Sequence, residues 1–264
     1  MRKIFCLGLL AGLFASASTN AVTNSTQAII VITPDWTSIT GRLVCVERSS
    51  ASDAWRVAGA SNRPGRASAL AFAITVGKIG LGWGAGIHPK SAVAGPAKHE
   101  GDGRSPAGIF KLGTAFGYAP ASDVPWIHLP YQQCTSELKC VDDAKSASYN
   151  TLVRPSSISK KDWDSFEDMR RADNLYRLGV FVEHNTNPKT SGGGSCIFLH
   201  IWQGREWPTT GCTAMPTEKI ETLLRWLKTQ HNPLLIQLPI HVYHQLVGEW
   251  KLPATELLST DLAE

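Results

Sequence analysis

SCIFLHIWQGREWPTTGCTAM, residues 195–215, decides how this chain is read. Cys196-Ile197-Phe198-Leu199 is an apolar run of strand character, and it delivers His200. After a short loop that carries Trp202 and Trp207, a Thr209-Thr210-Gly211 turn presents Cys212. Sulfur attacks as the thiolate, and a neighbouring imidazole is the usual means of making it one. Gly211 is expected to let the backbone turn so that its own N–H and that of Cys212 face a substrate carbonyl. Spacing alone leaves two readings open: a nucleophile with its base, or a core cysteine with a structural histidine. Pro208, Thr209, Thr210 and Gly211 make a poor core strand, which weakens the second. A metal site built from His184, Cys196, His200 and Cys212 fits no zinc spacing, for these four include neither a C-x-x-C nor a histidine pair at helical spacing.

Outward from this stretch, AIIVIT (28–33), RLVCVER (42–48), WRVAG (55–59), ALAFAITVG (69–77), LGVFVEHN (178–185) and LLIQLP (234–239) read as strands between Pro, Gly and Ser clusters. GKIGLGWGAGIHPK (77–90) reads as a long loop. It is no dinucleotide fingerprint, because its glycines do not open a helix. Helical signals are few. Ile220, Leu223, Leu224 and Leu227 recur at i, i+3, i+4 and i+7, with Thr217 expected to cap that helix and Glu218 in its first turn. A shorter helix is expected over Lys161–Arg171, with Arg170 and Arg171 on its solvated face. The fold class is therefore α+β and β-rich, with a few short helices, as one domain over residues 22–264.

Residues 1–21 read as a secretory signal: Arg2 and Lys3, an apolar run from Ile4 to Phe14, then small residues suited to cleavage. That run is too short to span a membrane, so the mature chain is expected to be periplasmic or secreted, with no integral membrane segment. Loss of Arg2 and Lys3 takes the formal charge from +4 to +2, too weak a bias to argue for nucleic acid. Export leaves Cys45, Cys134, Cys140, Cys196 and Cys212. Cys134 and Cys140 flank a short polar loop and are expected to form a disulfide. Cys45 and Cys196 read as buried strand thiols, with a Cys45–Cys196 bridge also open.

His200 followed by Thr209-Thr210-Gly211-Cys212 resembles the L,D-transpeptidase catalytic domain (YkuD-type), whose signature is a histidine, a variable loop and [S/T]-x-G-C. KHEGDGRSPAGIF (98–110) resembles that family's segment leading into a T/S-P-x-G-x-F turn. CVDD (140–143) with Tyr149-Asn150, and EHN (183–185), resemble an exported bacterial branch. The resemblance spans most of residues 27–250 and implies an L,D-transpeptidase-like β-sandwich or barrel. It makes Cys212 the nucleophile on peptidoglycan stem peptides and His200 the base, with the Gly211 and Cys212 amides, joined by Thr210, as oxyanion donors. An activated Cys212 would then titrate below the ordinary thiol range. No cofactor is implied, since thiol acyl transfer needs none, and no oligomeric state is legible. Thr209, Thr210, Trp202, Trp207, His184, Asn185 and Arg104 are the candidate substrate contacts. The same scaffold could serve an L,D-carboxypeptidase or endopeptidase, or a non-catalytic wall-binding protein. One departure stands out: the family often has arginine two residues after the cysteine, and this chain has Ala214.

Overall fold

β-branched and aliphatic residues dominate the strands, and period-2 alternation divides them between two cores. The structure, a computed structural model, describes residues 22–60 and 70–259; the expected signal segment lies outside them. In chain order the strands are β1 (Gln27–Thr33), β2 (Thr40–Glu47), β3 (Arg56–Val57), β4 (Ala71–Thr75), β5 (Leu81–Trp83), β6 (Ser105–Gly117) and β7 (Tyr131–Gln133). They continue with β8 (Lys139–Val141), β9 (Leu152–Val153), β10 (Phe166–Asp168), β11 (Leu178–Val182), β12 (Phe198–Ile201), β13 (Thr213–Met215) and β14 (Leu234–Pro239). Helices lying wholly within the described residues include α1 (Thr217–Trp226) and α2 (Ile240–Leu246).

The main sheet runs β1-β14-β6-β11-β12-β13-β4-β2, and β2 returns antiparallel to β1, closing a barrel. Closure abolishes the free edges that an open sheet must protect. Helix α1 lays Ile220, Leu223 and Leu224 on the sheet beside β11 and β12. A separate three-stranded sheet, β10-β8-β9, covers part of the barrel wall. The aliphatic core fills the barrel. A second core, with Phe116, Tyr176, Phe181, Phe198 and four cysteines, lies on the other face of the same strands.

Three expectations about the elements change, and one long strand is new. Residues 161–171 form no helix: β10 pairs with β8, setting Glu167 opposite Cys140, and this tertiary pairing overrides a weak helical pattern. Thr217 is the first helical residue rather than the cap, which falls on Pro216 without a side-chain bond. The glycine-rich stretch contains β5, parallel to the start of β6. The longest strand, β6, hides in glycine-diluted sequence. Gly108 is needed there, for its φ is +139° and a Cβ would lie 2.1 Å from the His88 ring.

The disulfide also differs. Cys140 bonds to Cys196, while Cys134 and Cys45 are free and buried. The 135–138 turn carries the chain away from Cys134 into β8, and that strand's pairings bring Cys140 to the chain just before β12. Cys45 belongs to the barrel interior and Cys196 to the outer core, so the sheet itself separates them.

Candidate active site

β12 alternates. Leu199 and Ile201 enter the barrel core, while Phe198 packs in the outer core and His200 lines a cavity there. β13 lies parallel to β12 with His200 opposite Ala214, and Cys212 sits just before that ladder. His200 and Cys212 thus come to one cavity of about 230 Å³, shared with Arg171, Tyr176, Trp202 and Ala214. A larger hollow, about 600 Å³, lies between Lys111, Leu129, Glu183 and Asn232; it contains neither the histidine nor the thiol.

The turn before Cys212 is fastened from three directions. Thr209 Oγ1 donates to the Cys212 carbonyl at 2.6 Å, and Ser105 Oγ donates to the same oxygen at 2.7 Å. Ser105 Oγ in turn accepts the Gly77 N–H at 2.9 Å, and the Thr209 N–H reaches Val76 O. Behind β13, Thr213 bonds Gln237, whose amide donates to Pro106 O, so this buried polar path is satisfied. Gly211 has no positive φ; its small size matters because a Cβ would press on Arg104 O at 3.3 Å and Ile197 at 3.4 Å. Its N–H donates to Thr209 Oγ1 at 3.1 Å. The amide expected to await an oxyanion is therefore engaged within the turn.

The sulfur accepts the Phe198 N–H at 3.3 Å and donates toward Cys196 O at 3.6 Å. Cys196 reaches this position with a left-handed backbone (φ 52°), pinned by Asn150 Oδ1 accepting its N–H at 3.0 Å. His200 Nδ1 donates to Ile201 O at 2.7 Å, which fixes the tautomer that leaves Nε2 as the acceptor. The Tyr176 ring stands edge-on to the imidazole, with centroids 5.1 Å apart.

Burial dominates the electrostatics. It pulls His200 down to about 4, a fall the Ile201 carbonyl only partly offsets. It also pushes the Cys212 thiol far above its ordinary range, helped by the nearby Glu167 charge. The resting pair is thus a neutral thiol and a neutral imidazole, which overturns the expectation of a thiol titrating early. The reason is desolvation without a neighbouring cation strong enough to reverse it. Arg171 lines the cavity, but Asp173 holds its guanidinium through both Nε and Nη2.

The other candidates divide. Thr209, Thr210, Trp202 and Trp207 line the cavity, and Trp207 is 58% exposed. Arg104 does not line it: its guanidinium donates to the carbonyls of Trp36, Ile79 and Leu81, tying the β5 segment down. His184 is buried against Phe110 and bonds Gly193 O. Asn185, left-handed at φ 53°, spans its own loop through Thr190 and Gly194. Arg104 and Asn185 build the scaffold because they spend their polar groups on main chain, whereas His184 bonds main chain through Nε2 and leaves its buried Nδ1 without a hydrogen bond. Conversely, Ser105, Arg171, Tyr176 and Glu167 belong to the site and were not singled out from sequence. Ser105 lies within the EGDGRSP segment, which was the one available signal; the others come from a stretch that reads as a helix and its exit.

The fold and site together define a closed, β-rich barrel with a histidine and a cysteine sharing one outer cavity. The model of the L,D-transpeptidase catalytic domain (YkuD) matches residues 62–242, and the chain belongs to that family. Membership carries catalytic function of the L,D-transpeptidase type on peptidoglycan. No curated protein and no solved structure matches the chain. Among the described residues no helix is long and apolar enough to cross a membrane.

Proposed function

We propose that this protein is an exported L,D-transpeptidase that works through a thioester on Cys212. The observation that carries this reading is the meeting of His200 and Cys212 in one cavity of a family catalytic domain. The sulfur attacks the stem-peptide carbonyl that joins an L-centre to a D-amino acid, and the carbonyl electron pair moves to oxygen. The thiol proton passes to His200 Nε2, whose partner Nδ1 is held by Ile201 O. Amides of the Thr210–Cys212 turn receive the oxyanion; for Gly211 to take part, its bond to Thr209 Oγ1 must open. Collapse breaks the C–N bond, and His200 returns the proton to the leaving amine. An acceptor amine then takes the acyl group, giving a cross-link.

A neutral resting pair suits this sequence. Thiolate and imidazolium form together as substrate arrives, so proton transfer within the pair adds no net charge to the buried site. The buried Cys140–Cys196 disulfide supports export, because such bonds persist in oxidising compartments. The test is incubation of the mature protein with purified muropeptides, followed by mass spectrometry beside Cys212→Ala. Cross-linked or exchanged stems are expected. Shortened stems alone would make it an L,D-carboxypeptidase or endopeptidase, and no thiol-dependent product would overturn the enzymatic reading.

A further inference from the structure

One buried carboxyl close to the nucleophile has no part in the steps above. Glu167, on β10, turns its carboxyl inward, and the Tyr176 hydroxyl donates to its Oε2 at 2.6 Å. Tyr176 is 5% exposed and lines the same cavity as Cys212 and His200, and its hydroxyl acts to lower the Cys212 thiol although it donates to Glu167 and not to the sulfur at rest. Among the described residues no hydrogen bond joins His200 to Cys212; the thiol's proton points to Cys196 O. A phenol has one proton to donate. Placed between a carboxylate and a sulfur, it can serve one acceptor at a time.

We propose that Tyr176 and Glu167 govern the charge on the Cys212 sulfur: the tyrosine donates to sulfur when Glu167 carries a proton, and to the carboxylate when it does not. Tyr176 is then a catalytic residue and Glu167 a positioning residue acting through it. The inference rests on the reading of Cys212 as nucleophile. Proton balance follows directly. From thiol, phenol and carboxylate, the sulfur's proton moves to Tyr176 Oη as the tyrosine's own proton moves to Glu167. The result is thiolate, phenol and carboxylic acid, with the same protons and the same net charge. This exchange sets the sulfur's charge in the resting enzyme without adding a second charge to the buried layer; the transfer to His200 belongs to the acylation step.

The surroundings of Glu167 favour the protonated form. Desolvation raises it to about 7, with Asp142 after β8 and Glu100 before β6 adding to the rise. The Tyr176 bond and Arg171 oppose it. Around the sulfur, Lys98 favours the thiolate while Glu167 resists it; Arg171 and Asp173 act in opposite senses on His200. The two proton arrangements described above differ by no proton, so their ratio is independent of pH once Glu167 has ionised. Thiolate reactivity in the wild type should therefore climb with pH to about 7 and flatten above it.

The experiment is iodoacetamide labelling of the folded full chain from pH 5 to 9, with the Cys212 adduct read by peptide mass spectrometry. It is run on wild type, Glu167→Gln and Tyr176→Phe, with circular dichroism to confirm folding. Gln keeps a donor to Tyr176 Oη but cannot ionise, so its profile should keep climbing and exceed wild type by about tenfold or more at pH 8.5. Loss of the phenol should slow labelling by about tenfold at every pH. A gain of reactivity on removing a carboxylate is not what a merely structural contact gives. A folded Glu167→Gln that tracks the wild type, or a wild-type profile without flattening near pH 7, would overturn the proposal. Labelling needs no substrate, so it is separable from the proposed activity. If muropeptide turnover fails and the profiles hold, the sulfur's control stands without the transferase; the reverse result sinks only the control.

Discussion

The two faces of β12 differ in kind. Inward, Leu199 and Ile201 join an aliphatic core that includes Ile29, Ile30, Leu43 and Ile74, all fully buried. Outward, Phe198 and His200 meet aromatic rings, cysteines and the Glu167–Tyr176 pair. One step along the strand thus moves from packing to chemistry. The interior fixes where the backbone goes, by burial that is insensitive to pH. The outer layer holds ionisable groups in a low-dielectric setting, where each is displaced from its ordinary range. Stability and reactivity should therefore separate by face.

Activity offers the largest break. Cys212→Ala should leave no thioester and no product in the muropeptide assay. His200→Ala should lower kcat/KM by about 10²–10⁴-fold while thermal unfolding shifts little; a collapse of folding instead would erase the distinction between faces. Reducing the Cys140–Cys196 bond, which closes a separation of 56 residues, should cost about 4 kcal/mol in chemical denaturation. Next comes Leu199→Ala, one residue from the histidine but on the inner face. It should cost about 2–5 kcal/mol and spare turnover per folded molecule.

A pH series sharpens the contrast. His88, His184 and His200 are each held near 4 by burial, below their unfolded values. Below pH 6.5 the unfolded chain binds protons that the folded chain refuses. Stability present above pH 6.5 should thus be lost progressively toward pH 4, and His200→Ala should remove its share, on the order of 3 kcal/mol. The smallest effect belongs to Trp207→Ala. At that exposed position stability should move by less than about 0.5 kcal/mol, and a rise in KM would show that the ring contacts substrate.

Legibility followed range in sequence. β12, β14 and α1 were readable because hydrophobic periodicity is local, and the turn at Thr209–Gly211 because its residues break strands. β6 was not, since Gly108, Gly113 and Gly117 dilute its alternation. The Cys140–Cys196 pairing depends on how two sheets meet, which no local spacing encodes. Glu167 is set opposite Cys140, and so beside Tyr176, through β10 pairing with β8, which no local pattern encodes. Arg104 and Asn185 were misplaced for the opposite reason: their residue types suit ligands, but nearby carbonyls claim them first.

Ser105 carries one last consequence, for the order in which the enzyme is made. Its hydroxyl grips the carbonyl of a residue 107 positions later, while accepting an N–H 28 positions earlier. Contacts of such separation form late, because loop closure precedes any reward. The Cys212 turn therefore gains its final shape only as the barrel wall comes together. Until that wall closes Cys212 is one ordinary thiol among several, and the turn that presents it is the product of completed folding.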